Sequence, residues 1–180
     1  VKLYQKVLLL LPCVSLFLGC SQLTQPVTAH QQEGFSVEQY QHVKLKPISL
    51  PTQLQKKKNN IAAVEQLDQL LFQNISEVFR DKTLVSSVTP NDKTLIIVPE
   101  MIDLQYVNVA QRMLSGKDAG RTKIKLKVNF VDAKNQKLLA STHFYADSDK
   151  NGGIDQPNVD QLALQQLAKQ VQHYTQSLEY

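Results

Sequence analysis

The sequence predicts an α+β domain: a mostly antiparallel sheet of about five strands with two helices packed on one face. Three observations lead there. Apolar residues recur at steps of three and four over residues 60–78 and again over 158–178. Apolar and polar residues alternate one by one over 121–130. The intervening segments are short β-branched runs punctuated by Pro, Asn, Asp and Gly. At 180 residues, 42% hydrophobic and 20% charged, the chain has material for one such core.

The N-terminal segment reads differently. Lys2 and Lys6 precede an apolar stretch over residues 7–18 that ends at Gly19, Cys20 and Ser21. Basic, then apolar, then small is the order of an export signal. As a helix the stretch rises about 18 Å against roughly 30 Å of bilayer hydrocarbon, and Pro12 interrupts it, so it is too short to span. The run Leu16, Phe17, Leu18, Gly19, Cys20 resembles the lipobox of bacterial lipoproteins, although that family more often has Ala or Ser where this chain has Leu18. The resemblance implies a signal peptide over 1–19, a lipidated Cys20 exposed as the new N-terminus, and Ser21, in place of Asp, as an outer-membrane sorting residue. Several acyl chains, each buried methylene contributing about 0.8 kcal/mol, make such an anchor effectively permanent. Residues 20–40 then form the lipidated cysteine and a flexible tether rich in Gln, Thr and Ser, and 41–180 the periplasmic domain.

Within the domain, a strand is expected near 42–50, ended by Pro47 and Pro51, followed by a loop carrying Lys56, Lys57 and Lys58. A helix follows, with Asn59 or Asn60 as its N-cap and Ile61, Val64, Leu67, Leu71, Ile75 and Val78 on one face. Residues 84–88 and 94–98 are expected as a hairpin about the turn-rich 89–93. Ile102, Leu104 and Tyr106 extend the second strand past Pro99 after a bulge or bend. Next, Thr122, Ile124, Leu126, Val128 and Phe130 alternate with Arg121, Lys123, Lys125, Lys127 and Asn129. A three-residue loop with Asn135 in the left-handed position sets Phe130 opposite Leu138 and Ile124 opposite Phe144. The last helix puts Val159, Ala163, Leu167, Val171, Tyr174 and Leu178 on one stripe, with Pro157 at its start. This order is similar to that of small envelope domains such as the N-terminal domain of TolB, and of uncharacterised bacterial lipoprotein families. The resemblance implies a shape and no site residue.

Charge and motif content narrow the function. The net charge is +4, and +2 without Lys2 and Lys6, too small for the field of a nucleic-acid binder. Cys13 and Cys20 are the only cysteines, so residues 21–180 contain neither a disulfide nor a thiolate zinc site. The four histidines, His30, His42, His143 and His173, have no metal-type partner at short spacing, and no nucleophile elbow or phosphate-cradling loop occurs.

On the polar side of the expected hairpin, Lys123 aligns with Tyr145, Lys125 with His143 and Lys127 with Ser141. This stripe is either a site for an anionic or acidic envelope partner or a solvated face that keeps the sheet edge from pairing. Asp147, Asp149, Asn151 and Asp155 have the early spacing of a calcium loop, but Asn158 stands where a bidentate Glu is needed. The expectation is a non-catalytic outer-membrane lipoprotein, facing the periplasm, that binds an envelope protein or glycan without cofactor, metal or nucleic acid. Two alternatives stand beside it. A hydrolase would need a deep polar pocket holding His143, Asp103 or Glu100. A structural subunit of an envelope complex would expose an apolar patch near Leu178 or Tyr180.

Overall fold

The structure is a computed structural model and describes residues 27–88, 93–148 and 158–179. The coarse class is the expected α+β. Six strands form one mixed sheet: β1 (Val27–Gln31), β2 (His42–Leu45), β3 (Thr83–Leu84), β4 (Thr94–Gln105), β5 (Lys123–Asp132) and β6 (Leu138–Asp147). Their spatial order is β1-β6-β5-β4-β2-β3. Four α-helices are present among the described residues: the short α1 (Thr52–Gln55) and α3 (Val109–Ser115), and the long α2 (Lys58–Val78) and α4 (Val159–Ser177). The expected mostly antiparallel sheet of about five strands with two helices is thus corrected, among the described residues, to a mixed sheet of six strands and four α-helices.

Two corrections follow from the pairing. β2 lies between β4 and β3 and is parallel to both, so 84–88 and 94–98 do not form a hairpin with each other. Parallel neighbours need a crossover, and α2 supplies it between β2 and β3. The segment assigned to the tether is folded from residue 27 onward. Val27–Gln31 pairs antiparallel with β6, and Phe35 and Val37 are buried in the core. Cys20, Ser21, Pro157, Tyr180 and most of the turn at 89–93 lie outside the described residues.

Pro99 sits inside the 12-residue β4, where proline is ordinarily excluded. Its nitrogen faces the β2 side, as the bonds Lys46 N to Ile97 O and Ser49 N to Pro99 O show. There β2 has already ended, so the N–H that proline lacks is missing beyond the regular ladder and not within it. A bulge between Met101 and Asp103 then leaves Ile102 42% exposed while Leu104 is buried.

The core is one cluster. α4 lies against β5 and β6, and α2 packs against α4. Leu67, Leu71 and Ile75 of α2 and Leu164, Leu167 and Val171 of α4 meet the inward side chains of β5 and β6, among them Leu126, Val128, Phe130 and Phe144. Each fully buried leucine or phenylalanine contributes about 1.5–3 kcal/mol. Phe144 meets the Tyr174 ring edge-on at 5.8 Å between centroids. The expected stripe of α4 is buried throughout, Leu178 included at 2% exposure, so that residue offers no outward patch. The stripe of α2 differs at its start. Ile61 is exposed and Asn60 is wholly buried in its place, its amide donating to the Leu54 and Leu104 carbonyls while its carbonyl accepts from the Tyr106 amide. Asn60 therefore ties α2 to β4 and is not an N-cap; that position is Lys57, and Lys58 already belongs to the helix. The expected lysine loop is thus a junction between two helices.

A candidate binding face on the open side of the sheet

The lysines of β5 face away from the core because apolar residues alternate with them. What stands beside each lysine is set by the β5–β6 hairpin. Its loop holds four residues where three were expected, and Gln136, not Asn135, takes the left-handed conformation at φ 58°. Asp132 N donates to the Lys137 carbonyl and Gln136 N to the Asp132 carbonyl. A bulge then follows, since Val131 pairs with Leu138 but Phe130 pairs with Ala140. Leu139 is the extra residue and is buried. Loop and bulge each add one position, so every pair shifts by two and no side chain changes face. Leu126 thus opposes Phe144 and Ile124 opposes Ala146, and on the open side Lys125 opposes Tyr145 and Lys127 opposes His143.

Three rows result across β4, β5 and β6. Glu100, Lys127 and His143 form the first, Asp103, Lys125 and Tyr145 the second, and Gln105, Lys123 and Asp147 the third. Lys127 Nζ lies 3.7 Å from the Glu100 carboxylate, and Lys125 Nζ stands 5.3 Å from the centre of the Tyr145 ring. One row further along β5 and β6, Ser141 Oγ donates to Asn129 Oδ1 at 2.9 Å, both groups being buried. The lysines draw Glu100, Asp103 and Asp147 beside them, three carboxylates to three ammonium groups. The face is a near-neutral mosaic and not the basic stripe expected. That compensation was hidden because it depends on the pairing of β4 with β5 and on the Ile102 bulge, which turns Asp103 onto the open side.

His143 is held below its ordinary pKa by partial burial and then by Lys125 and Lys127, so it is neutral at pH 7. Asp103, Lys123, Lys125, Tyr145 and Asp147 line an open cavity of about 420 Å³, within the size range of ligand sites. His143 and Glu100 are not part of it. Of the three residues named for a hydrolase pocket, Asp103 lines this open cavity, and Glu100 and His143 lie in the adjacent row. Of the calcium residues, Asp147 is the third-row carboxylate, and Asp149, Asn151 and Asp155 lie outside the described residues. Among the described residues no three His, Cys, Asp or Glu side chains are grouped to hold a metal ion.

A second cavity, of about 400 Å³, lies beyond the end of β2 between Leu45, Lys46, Pro47 and the α2 residues Asp68 and Phe72. Burial raises the pKa of the Asp68 carboxyl, partly countered by the Ile48 amide that donates to it at 2.8 Å. The Asp68 carboxylate is thus engaged by the backbone.

Solved structures resemble this chain distantly, at low identity. The PelC dodecamer from Paraburkholderia phytofirmans is 10% identical, with 78% of this chain and 96% of that one covered and a TM-score of 0.44. A protein from Chlamydia trachomatis is 12% identical over 77% and 97%, at 0.45. A protein from Xanthomonas campestris assigned to family DUF330 is 11% identical over 87% and 93%, at 0.46. At these values no residue role and no partner carries over. No curated protein matches the sequence. One family model does match, over residues 34–146, a span that contains the face from Glu100 to Tyr145, and by that match the chain belongs to the family described as Domain of unknown function (DUF4410).

Proposed function

We propose that this protein is a lipid-anchored envelope module, fixed to the outer membrane through Cys20 and non-catalytic, whose open sheet face binds an envelope protein or glycan. Anchoring and sorting rest on the run from Leu16 to Ser21, with its basic, apolar and Gly-Cys order. No described helix is long and apolar enough to cross a membrane.

The observation that carries the binding role is the second row. Tyr145 presents a ring steadied by Lys125, with the Asp103 carboxylate across the strand and an open cavity between them. An aromatic surface with adjacent donors and acceptors suits a hydroxyl- or amide-rich partner. Because the charges offset one another, long-range attraction is weak and affinity comes from short-range contacts. A polyanion would find three carboxylates in its way.

The test replaces Tyr145→Ala and Lys125→Ala together in the full chain and follows partner capture by crosslinking in intact cells. Both side chains leave the core untouched, so the domain should keep its unfolding midpoint while capture falls at least about tenfold, the effect of losing some 1.4 kcal/mol. Undiminished capture by a folded variant would remove the face from the account.

A further inference from the structure

One end of the domain carries features that the binding face does not use. It is the end marked by Gln105, Lys123 and Asp147, and both long helices begin there. Asn60 joins the first turn of α2 to Leu104 and Tyr106, and Asp160 joins the first turn of α4 to Arg112 of α3. Helix N-termini present partial positive charge. Lys56, Lys57, Lys58, Arg121 and Lys123 are exposed at the same end, with Asp103 and Asp118 the exposed carboxylates among them.

At this end α3 holds Met113 and Leu114, 77% and 87% exposed, more than any other large apolar side chain among the described residues. They are held there firmly. The neighbouring Arg112 is 4% exposed; its guanidinium donates to both carboxylate oxygens of the wholly buried Asp160, at 3.2 and 3.0 Å, and to the Gly120 carbonyl at 2.8 Å. Ile61 and Leu162, in the opening turns of α2 and α4, add partly exposed apolar surface. Adjacent apolar side chains fixed outward call for a non-aqueous partner.

The anchor says which. β1 runs antiparallel to β6 from Val27, opposite His143, so its entry side faces this same end. From Cys20 to Val27 there are seven residue steps, which span at most about 25 Å. Roughly 14 Å of that is taken up in passing from the level of His143 to that of Asp147. A lipidated Cys20 therefore brings this end close to the bilayer surface. Building on the anchoring reading, we infer that the domain docks end-on against phospholipid, with Met113 and Leu114 seated among the headgroups and acyl boundary and the lysines facing anionic lipid.

The experiment uses the mature protein in vesicles of phosphatidylethanolamine and phosphatidylglycerol, with an environment-sensitive fluorophore on Leu114→Cys. A second sample carries it on Lys134→Cys, in the hairpin loop at the opposite end of β5. The expected result is flotation of both samples with the vesicles, a blue-shifted emission at 114, and several-fold stronger quenching there than at 134 by lipid with brominated acyl chains. Flotation with position 114 as water-exposed as 134 overturns the docking while leaving the anchor intact. A blue shift insensitive to brominated lipid overturns it in favour of a second copy of the chain covering α3. Failure to float overturns the anchor, and the docking with it.

Discussion

At the residue scale the ion pair between Arg112 and Asp160 decides how the end of the domain is built. Asp160, in the first turn of the last helix, is wholly buried. Its charge is tolerable there because Arg112 meets it with two hydrogen bonds. Burial, and next the charge of Asp160, raises the pKa of the nearby Tyr106 hydroxyl. Replacing Arg112→Ala strands a carboxylate in the interior and should lower stability by about 3–5 kcal/mol, whereas Arg112→Met combined with Asp160→Leu should come close to neutral. Urea unfolding of the two variants checks this. A loss below about 1 kcal/mol for the single change would mean that the pair is solvated and holds α3 only weakly. The partnership was not legible in advance, because residues 107–120 have no period of two or of 3.6 and charges near a helix start are ordinarily solvated. Lys123, Lys125 and Lys127 were legible, since strict alternation leaves them only one side of a strand.

Among the elements, the two long helices and the β5–β6 hairpin follow from periodicity, and the structure differs mainly in register. Which face each side chain takes was readable, because adding two positions preserves parity. The exact partners were not, because loop length and bulge position depend on local hydrogen bonds such as Lys134 N and Asn135 N to the Asp132 carboxylate. Tyr40 also donates to that carboxylate, at 3.1 Å; burial first, and then the Asp132 charge, keep its hydroxyl protonated at any physiological pH. Gln136 pays for this loop with a left-handed backbone, which disfavours any residue with a Cβ by about 1–2 kcal/mol. Gln136→Gly should therefore raise stability by less than about 1 kcal/mol, after allowing for glycine's greater freedom in the unfolded chain and for the lost Gln136 Nε2 bond to the Ala133 carbonyl at 2.8 Å. Thermal unfolding measures it, and a lowered midpoint would contradict the loop geometry. β1 escaped notice for a different reason. Val27–Gln31 is five residues long, polar at most positions, and borders solvent on one edge, so burial imposes little pattern on it.

For the whole molecule, the parts have a consistent division of labour. The core of α2, α4 and the inner sheet face holds the shape, the outer face offers a neutral mosaic around Tyr145, and the end bearing α3 lies on the side from which β1 begins at Val27. Sequence reasoning reached the class and the outward lysines. It missed the compensating carboxylates and the apolar end, since both arise from contacts between elements far apart in the chain. Membrane attachment and end-on docking both require that Cys20 is processed and acylated in the cell. Intact-mass spectrometry of the protein extracted from membranes tests that most directly. The account predicts a chain beginning at Cys20 and carrying the added mass of a diacylglyceryl thioether and an N-acyl group; a chain that retains residues 1–19, or a Cys20 with a free thiol, would contradict it.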